Sequence, residues 1–381
     1  MRRLAGLLCA GLLLCALTGC AGRFLPETKD IASVELLRTL AVDAGEGERV
    51  KVTVSTGVGQ GAAGKPKRLT RSAETVSAAC QTIQQSGTSA VFFGHVTDCV
   101  VGEALAKEGI GPVLDDIQRD FEMRMDTPIF LVRGVTAEEL LEKTAGAELA
   151  ATDQLQEIGR ELPLEARAWP CTVRDILVDR YDNGWSLMPV VRLRRETEGY
   201  GVVSDGMALF HGDRLVKRLD AETGRGANLL LDQPQAGYVD VTLPGGVRAN
   251  LKLTGAACRW RPRWTGKRLA ALTAEVSAEA DLTELDDPDG VWEEGNLREL
   301  ERELARQVAD QVKQALREER TEGDFLHLER RLIVQCPGKV GEIRKNWDRW
   351  REELDLRATV NATVRQSYDV SRSSDKAEKE E

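Results

Sequence analysis

Residues 296–316, NLRELERELARQVADQVKQAL, and residues 354–364, LDLRATVNATV, contain the clearest helix and the clearest closing strand of this sequence. In the first stretch Asn296 is placed to cap a helix, and apolar residues then recur at helical spacing. These residues are Leu297, Leu300, Leu304, Val308 and Leu316. In the second stretch apolar and polar residues alternate, which is typical of a half-buried strand. The two patterns predict a helix that covers a sheet, with Trp347 and Trp350 filling the join between them.

Further strand patterns precede this C-terminal unit. They are Leu187–Arg194, Gly201–Phe210, Tyr238–Leu243, Val247–Leu253 and Arg268–Leu282. Between residues 31 and 168 helical and strand patterns interleave, and Trp169-Pro170 indicates a change of module. The sequence therefore predicts an α+β fold of three successive mixed α/β domains: residues 31–168, 169–255 and 256–370. Residues 371–381 are polar and charged and are predicted to be a disordered tail.

Cys258–Trp264, CRWRPRW, places arginines between aromatic residues. Alternation predicts a strand with Cys258, Trp260 and Trp264 facing inward and the arginines facing outward. A surface that contacts a membrane or a partner remains the alternative interpretation of the same residues.

The N-terminus has the order of a secretory signal. Met1-Arg2-Arg3 is basic, Leu4–Leu17 is an uncharged, leucine-rich run, and Leu17-Thr18-Gly19-Cys20 has the form of a bacterial lipoprotein box. We therefore expect residues 1–19 to be a lipoprotein signal peptide, Cys20 to carry the lipid, and residues 20–30 to be a tether. Two or three acyl chains hold a protein firmly at a bilayer. The alternative is an ordinary signal peptide that happens to contain a cysteine.

Composition limits the function classes. The chain has 42% hydrophobic and 30% charged residues, which is typical of a globular protein, and a net charge of −10. An acidic protein is a poor match for nucleic acid and has no general attraction to anionic lipid. After Cys20 there are five scattered cysteines, and the whole chain has three histidines. Catalytic triads and metal centres depend on such residues, so the sequence favours a protein that is not an enzyme and holds no metal.

Three other candidate sites have simpler interpretations. Residues 59–65, GQGAAGK, fit the start of a phosphate-binding loop, but Pro66 stands where Ser or Thr should bind magnesium, so a flexible loop is favoured. His95 is interpreted as a hydrogen-bonded structural histidine. The carboxylates Asp115, Asp116, Asp120 and Asp126 are interpreted as a solvated helix face and its ends rather than as an acid–base site.

Several motifs together resemble the Ger(x)C family of spore germination lipoproteins, the C subunits of germinant receptors. The first series runs through Phe93-Gly94-His95, residues 102–110 (GEALAKEGI), Val113-Leu114-Asp115, Arg119-Asp120 and residues 122–127 (EMRMDT). The second comprises residues 206–210 (GMALF), residues 212–216 (GDRLV) and Leu219-Asp220. The third comprises the long helix, Gly323-Asp324-Phe325 and Asn346-Trp347.

The resemblance implies three α/β domains without a known active site and without a cofactor. It also implies a complex with integral membrane A-type and B-type receptor subunits, with the protein lipid-anchored on the outer face of the spore inner membrane. In that complex, nutrient binding and ion release are attributed mainly to the membrane subunits.

Two other classes of protein remain open. A solute-binding lipoprotein of a membrane transporter is the main alternative, and it would show long βαβ alternation and two lobes around a cleft. The strand patterns between residues 187 and 282 suggest antiparallel pairs instead. A lipid-anchored cell-wall hydrolase would need a nucleophile, a carboxylate pair or a metal site, and none stands out.

Overall fold

The computed structural model describes residues 34–366, except residues 48, 58–65, 86–89, 121, 146–149, 166–167, 234–235, 244–245 and 287–293. The described strands form two sheets. The strands are β1 (Val34–Ala44), β2 (Val50–Thr56), β3 (Arg68–Ala73), β4 (Ala90–Phe92), β5 (Asp98–Gly102), β6 (Ile129–Arg133), β7 (Trp185–Arg195), β8 (Tyr200–His211), β9 (Arg214–Leu219), β10 (Gly237–Thr242), β11 (Arg248–Thr265), β12 (Arg268–Asp286) and β13 (Asp355–Gln366).

Helices connect and cover these strands. They are α1 (Val76–Gln85), α2 (Glu103–Glu108), α3 (Gly111–Arg119), α4 (Ala137–Lys143), α5 (Ala151–Glu165), α6 (Val173–Asp182), α7 (Ala221–Leu230), α8 (Glu294–Thr321), α9 (Leu328–Gln335) and α10 (Val340–Glu353). Short 3-10 turns lie at Phe93–His95 and Pro337–Lys339.

The first sheet has nine strands. Eight follow the order β3-β2-β1-β5-β6-β7-β8-β9, and β4 pairs with β1 beside this path. The central pairs from β1 through β5 and β6 to β7 are parallel, and the outer pairs are antiparallel. Parallel strands are normally covered on both faces, and β5 is buried at every position.

The second sheet has the order β10-β11-β12-β13. β11 and β12 form a long antiparallel hairpin, and β13 returns beside β12 in parallel. The inner-facing residues of β12 alternate with exposed ones, and Leu300, Leu304 and Val308 of α8 are buried in the same core cluster. The structure confirms the predicted C-terminal strand and its covering helix, which begins at Glu294 rather than after Asn296. Trp350 meets Trp264 edge to face, with ring centroids 5.8 Å apart.

Helix α7 joins the two sheets. It contacts strands β8 and β9 of the first sheet, strands β11 and β12 of the second, and helix α8. Its residues from Thr223 to Leu230 are all buried. Gly226 allows the two helices to touch, because a Cβ atom there would lie 2.1 Å from the carbonyl oxygen of Gln311 on α8.

The prediction of a mixed α/β fold is confirmed, but the strands are grouped differently from the predicted domains. β6 and β7 are hydrogen-bonded on either side of the predicted border between residues 168 and 169. The predicted border between residues 255 and 256 lies inside the continuous strand β11. Neither border is a break in a sheet, and the division into three folding units remains a prediction.

Asp98, at the start of β5, gives a testable pH dependence. Its side chain is fully buried, its Oδ2 accepts a hydrogen bond from the Thr97 hydroxyl at 2.8 Å, and its Oδ1 has no partner among the described residues. Burial raises the pKa of Asp98 to about 7, although the charge of Arg38 opposes the shift. The folded state therefore holds a proton that the unfolded state releases near pH 4, so this stabilisation is lost as pH rises from about 4 to about 7.

We expect Asp98→Asn to become more stable relative to the parent as pH rises through this window. The expected gain is at most about 1.4 kcal/mol per pH unit, and it levels off above the folded-state pKa. Urea unfolding of both proteins at several pH values measures this difference. Asp115→Asn, which removes an exposed carboxylate paired with Arg119, is the control substitution. Parallel pH profiles for Asp98→Asn and the parent would contradict the assignment.

Candidate functional site

A cavity of about 540 Å³ lies between the first sheet and helix α9. Its main apolar walls are Trp169, Leu187, Met207, Leu231 and Phe325, and its ionisable side chains are Asp175, Asp179, His327, Arg330 and Arg331. These residues come from four distant parts of the chain. Ligand sites in proteins commonly have this size, with apolar walls and a few convergent polar groups. Among the described residues, this cavity is the candidate binding site.

The turn that precedes α9 is anchored to the first sheet. The backbone of Gly323 packs directly against the indole of Trp185 on β7. A Cβ atom at Gly323 would be only 2.1 Å from Cζ2 of that indole, so no larger residue fits there without a shift. The Asn183 side-chain amide donates a hydrogen bond to the carbonyl oxygen of Asp324 at 2.6 Å. The Asp324 carboxylate in turn accepts from the N–H groups of Leu328 and Glu329 at 2.6 and 3.1 Å. These contacts fix where α9 starts and thus how its side chains face the cavity.

A second buried acid, Glu319, supports the same turn. Its Oε2 accepts from the N–H of Leu326 at 2.9 Å. Burial raises the pKa of Asp324 to about 6, and burial together with the charge of Asp324 raises the pKa of Glu319 well above its ordinary value. Both acids hold the backbone and neither lines the cavity, so we assign them a structural role.

Asp179 of α6 is the acidic group of the cavity, and His327 lies beside it. The Oδ1 atom of Asp179 lies 3.6 Å from Nε2 of His327, which is too long for a good hydrogen bond. Burial lowers the pKa of His327 to about 4, so the imidazole is neutral near pH 7. Burial and the charges of Asp175 and Asp182 raise the pKa of Asp179 to about 7. Asp179 is therefore a poorly compensated carboxylate that faces the cavity.

The basic part of the cavity is Arg331 of α9. Its guanidinium donates to the carbonyl oxygens of Leu326 and Leu231 at 3.2 and 2.7 Å. No carboxylate of the described residues lies within 4.0 Å of it, whereas neighbouring Arg330 lies 3.5 Å from Asp182. Burial lowers the pKa of Arg331, yet arginine keeps its charge at neutral pH. Among the described residues, Arg331 therefore has no carboxylate in ion-pair contact, and Asp232 and Asp324 act on it from further away.

The four buried cysteines among the described residues are not suited to nucleophilic chemistry. Cys80, Cys99, Cys171 and Cys258 are buried free thiols. Burial raises the pKa of Cys99 and Cys258 to about 12, and it raises that of Cys171 well above its ordinary value. A thiol reacts through its thiolate, so these residues are packing groups. Within the described part of the chain, no three His, Cys, Asp or Glu side chains are grouped to hold a metal ion.

Two protein-family models match this chain in succession. Residues 27–193 match the spore germination protein N-terminal domain, and residues 205–368 match the spore germination B3/GerAC-like C-terminal domain. The chain belongs to the Ger(x)C family of spore germination proteins. This membership confirms the resemblance drawn from the sequence motifs.

Known proteins are similar to this Ger(x)C chain along most of its length. YfkR of Bacillus subtilis (strain 168), which carries an assignment to spore germination, is 24% identical over 374 residues, covering 93% of this chain and 94% of YfkR. The crystal structure of the GerBC protein aligns with a TM-score of 0.54 and 17% identity, covering 85% of this chain and 96% of GerBC. This structural similarity supports the mixed α/β fold.

The candidate site residues proposed from the sequence lie apart from the cavity or outside the described residues, although Phe325 and Met207 of the family motifs line it. Cys20 and residues 59–65 of the glycine-rich loop belong to the latter group. His95 is exposed at the end of a 3-10 turn, and its interpretation as a hydrogen-bonded structural histidine stays a prediction. Asp115 and Asp126 form exposed pairs with arginines, as expected of a solvated face. Cys258 and Trp260 are buried and the arginines between the aromatic residues are exposed, which confirms the predicted strand.

Sequence reasoning missed the charged residues of the cavity. Asp179 and His327 are separated by about 150 residues, and neither stands out from the helical pattern or turn to which it belongs. The available signal was the motif Gly323-Asp324-Phe325, which the structure shows to be the turn that brings His327 and Arg331 to α6 and the first sheet.

Proposed function

We propose that this Ger(x)C protein is a lipid-anchored, non-enzymatic C subunit of a spore germinant receptor and is needed for nutrient-triggered germination. The observation that carries the proposal is the match of both germination-family models, in order, to residues 27–193 and 205–368. The similarity to YfkR over nearly the full length of both chains supports the same assignment.

In this proposal the protein assembles with integral membrane A-type and B-type receptor subunits at the outer face of the spore inner membrane. Among the described residues, no helix has the length and apolar character needed to cross a bilayer. The chain is acidic, so anionic lipid headgroups offer it no general attraction. The diacylglycerol on Cys20 then provides the membrane attachment.

The non-enzymatic role is supported by the chemistry of the buried groups. Burial raises the pKa of the thiols of Cys80, Cys99, Cys171 and Cys258, His327 is neutral near pH 7, and Glu319 and Asp324 bind backbone N–H groups. These groups stabilise the fold rather than forming a nucleophile and base in hydrogen-bond contact. No cofactor is part of the proposal.

The alternative of a transporter's solute-binding lipoprotein receives less support. That class was expected to show βαβ alternation in two lobes around a cleft. Strands β7, β8 and β9 are instead antiparallel neighbours, and so are β10, β11 and β12. This arrangement favours the receptor-subunit assignment.

Replacing Cys20 with alanine is expected to move the protein from the membrane fraction to the soluble fraction when the partner subunits are absent. The reason is that the thiol is the proposed site of lipid attachment. Fractionation of membranes followed by immunoblotting measures the change, and Cys80→Ala is the matched control, because Cys80 is a buried thiol. A Cys20→Ala protein that stays fully membrane-bound would contradict the single-anchor proposal.

The partner subunits are tested with the unmodified protein. Tagged protein purified in mild detergent from spore membranes should carry the A-type and B-type subunits with it, and spores that lack the protein should not germinate with the corresponding nutrient. Purification without either subunit, together with normal germination, would overturn the proposed function.

A further inference from the structure

We propose that the cavity between the first sheet and helix α9 binds a small zwitterionic molecule with an apolar body. This ligand site goes beyond the proposed function and does not depend on it, since the argument rests on the charges and walls of the cavity alone.

Two charged groups of the cavity, Asp179 and Arg331, have no close ion pair with an opposite charge among the described residues, although Arg330 lies in the field of the first and Asp232 and Asp324 in that of the second. The Asp175 carboxylate belongs to the capping box at the N-terminus of α6, where it accepts a hydrogen bond from the backbone N–H of Thr172. Arg330 has Asp182 at 3.5 Å. Asp179 faces a neutral imidazole, and no described side chain donates a hydrogen bond to it within normal distance. Arg331 donates only to carbonyl oxygens among its described contacts. One cationic group and one anionic group on a ligand would compensate both.

The two charged groups line one small cavity. His327 and Arg331 are four residues apart, and the Arg331 N–H donates to the His327 carbonyl oxygen at 3.0 Å, as in a helical turn. Side chains with this spacing lie on one helix face, with Cβ atoms ~5–6 Å apart. Asp179, which lies beside His327, and Arg331 line the same cavity. An α-amino acid carries its ammonium and its carboxylate on one carbon atom, so a single small molecule can present both charges there.

The apolar walls of the cavity suit a ligand whose uncharged part is also apolar. Trp169, Leu187, Met207 and Phe325 surround the charged groups with apolar surface. Burial of an aromatic or aliphatic body against them would be favourable at ~25 cal/mol per Å². The cavity walls are also held in place, because the Gly323–Trp185 contact and the Asn183 hydrogen bond anchor the start of α9. A pre-formed site loses little binding energy to ordering.

The test compares three probes that share a phenyl body. L-Phenylalanine carries both charges, 2-phenylethylamine only the cation, and 3-phenylpropionate only the anion. Isothermal titration calorimetry with the full-length protein in detergent should show phenylalanine binding at least about tenfold more tightly than either single-charge probe, which corresponds to about 1.4 kcal/mol. No binding of phenylalanine at millimolar concentration, or equal binding of 3-phenylpropionate, would overturn the proposal.

Two variants test whether Asp179 and Arg331 bind the two charged groups of the ligand. Asp179→Asn should weaken phenylalanine binding about tenfold, and Arg331→Gln should do the same, whereas Asp310→Asn on the exposed face of α8 should change nothing. Circular dichroism verifies that each variant is folded. If Arg331→Gln fails to fold, Asp179→Asn and the three probes still decide the matter. Unchanged phenylalanine affinity in a folded Asp179→Asn protein would contradict the assignment, while receptor assembly would be unaffected by that result.

Discussion

Replacing Leu304 with alanine is expected to lower the free energy of unfolding by about 2–5 kcal/mol. Leu304 is fully buried on the face of α8 that covers the second sheet, between Leu300 and Val308. Removing its branched end leaves a cavity that well-packed neighbours fill only in part. Urea unfolding of residues 21–381 measures the loss, and the amount of folded protein in cells should fall with it.

The matched control is the same substitution at an exposed leucine. Leu164, on helix α5, is 61% exposed, so Leu164→Ala should change stability by no more than about 0.5 kcal/mol. Removal of the charged tail, residues 371–381, should also cost almost nothing, since the tail has no apolar face. A Leu304→Ala protein as stable as the parent would show that α8 does not form the core assigned to it.

The second large effect is expected from Gly226→Ala, at about 3 kcal/mol or more. The new Cβ atom would lie 2.1 Å from the carbonyl oxygen and 2.5 Å from the carbonyl carbon of Gln311. Both are backbone atoms of α8, so no side chain can rotate away and the two helices must separate. Alanine ordinarily favours a helix over glycine by up to about 1 kcal/mol, and the close contact must outweigh this preference.

Gly159→Ala is the control with the opposite expectation. Gly159 is inside helix α5, and a Cβ atom there would meet only the Phe130 ring at 3.8 Å, an ordinary contact. This variant should match or exceed the parent's melting temperature, whereas Gly226→Ala should melt well below it. Equal melting temperatures for the two variants would show that α7 and α8 are not held in close contact.

Local patterns in the sequence predicted most of the elements whose burial is one-sided. Helix α8 and strand β13 were predicted because each has one apolar face. The register of the strand, by contrast, depends on a partner that is distant in the sequence. The parallel pairing of β12 with β13 crosses the entire helical segment of residues 294–353.

Elements without an apolar alternation depend on their partner strands. Residues 68–73 form β3, which has no fully buried position and is defined by its hydrogen bonds to β2. The predicted strand Val247–Leu253 continues to Thr265, since β12 pairs with it through the small residues around Gly255. In both cases the partner strand determines the structure more than the local sequence does.

The cavity was beyond local prediction for a related reason. Its charge at Asp179 comes from a helix of the first half of the chain, and its charge at Arg331 comes from a helix near the end. Tertiary packing alone brings them together. The motif Gly323-Asp324-Phe325 was noted in the sequence, but its role became evident only from the contacts with Trp185 and Asn183.

The hairpin of β7 and β8 places a constraint on how the gene can be divided. The two family domains meet between residues 193 and 205, and these residues lie in the last part of β7, the turn and the first part of β8. A fragment that ends there would expose the hydrogen-bonding edge of β7 to other chains. An expression fragment of the first half should therefore extend through β9, to Leu219, so that every strand of its sheet is included.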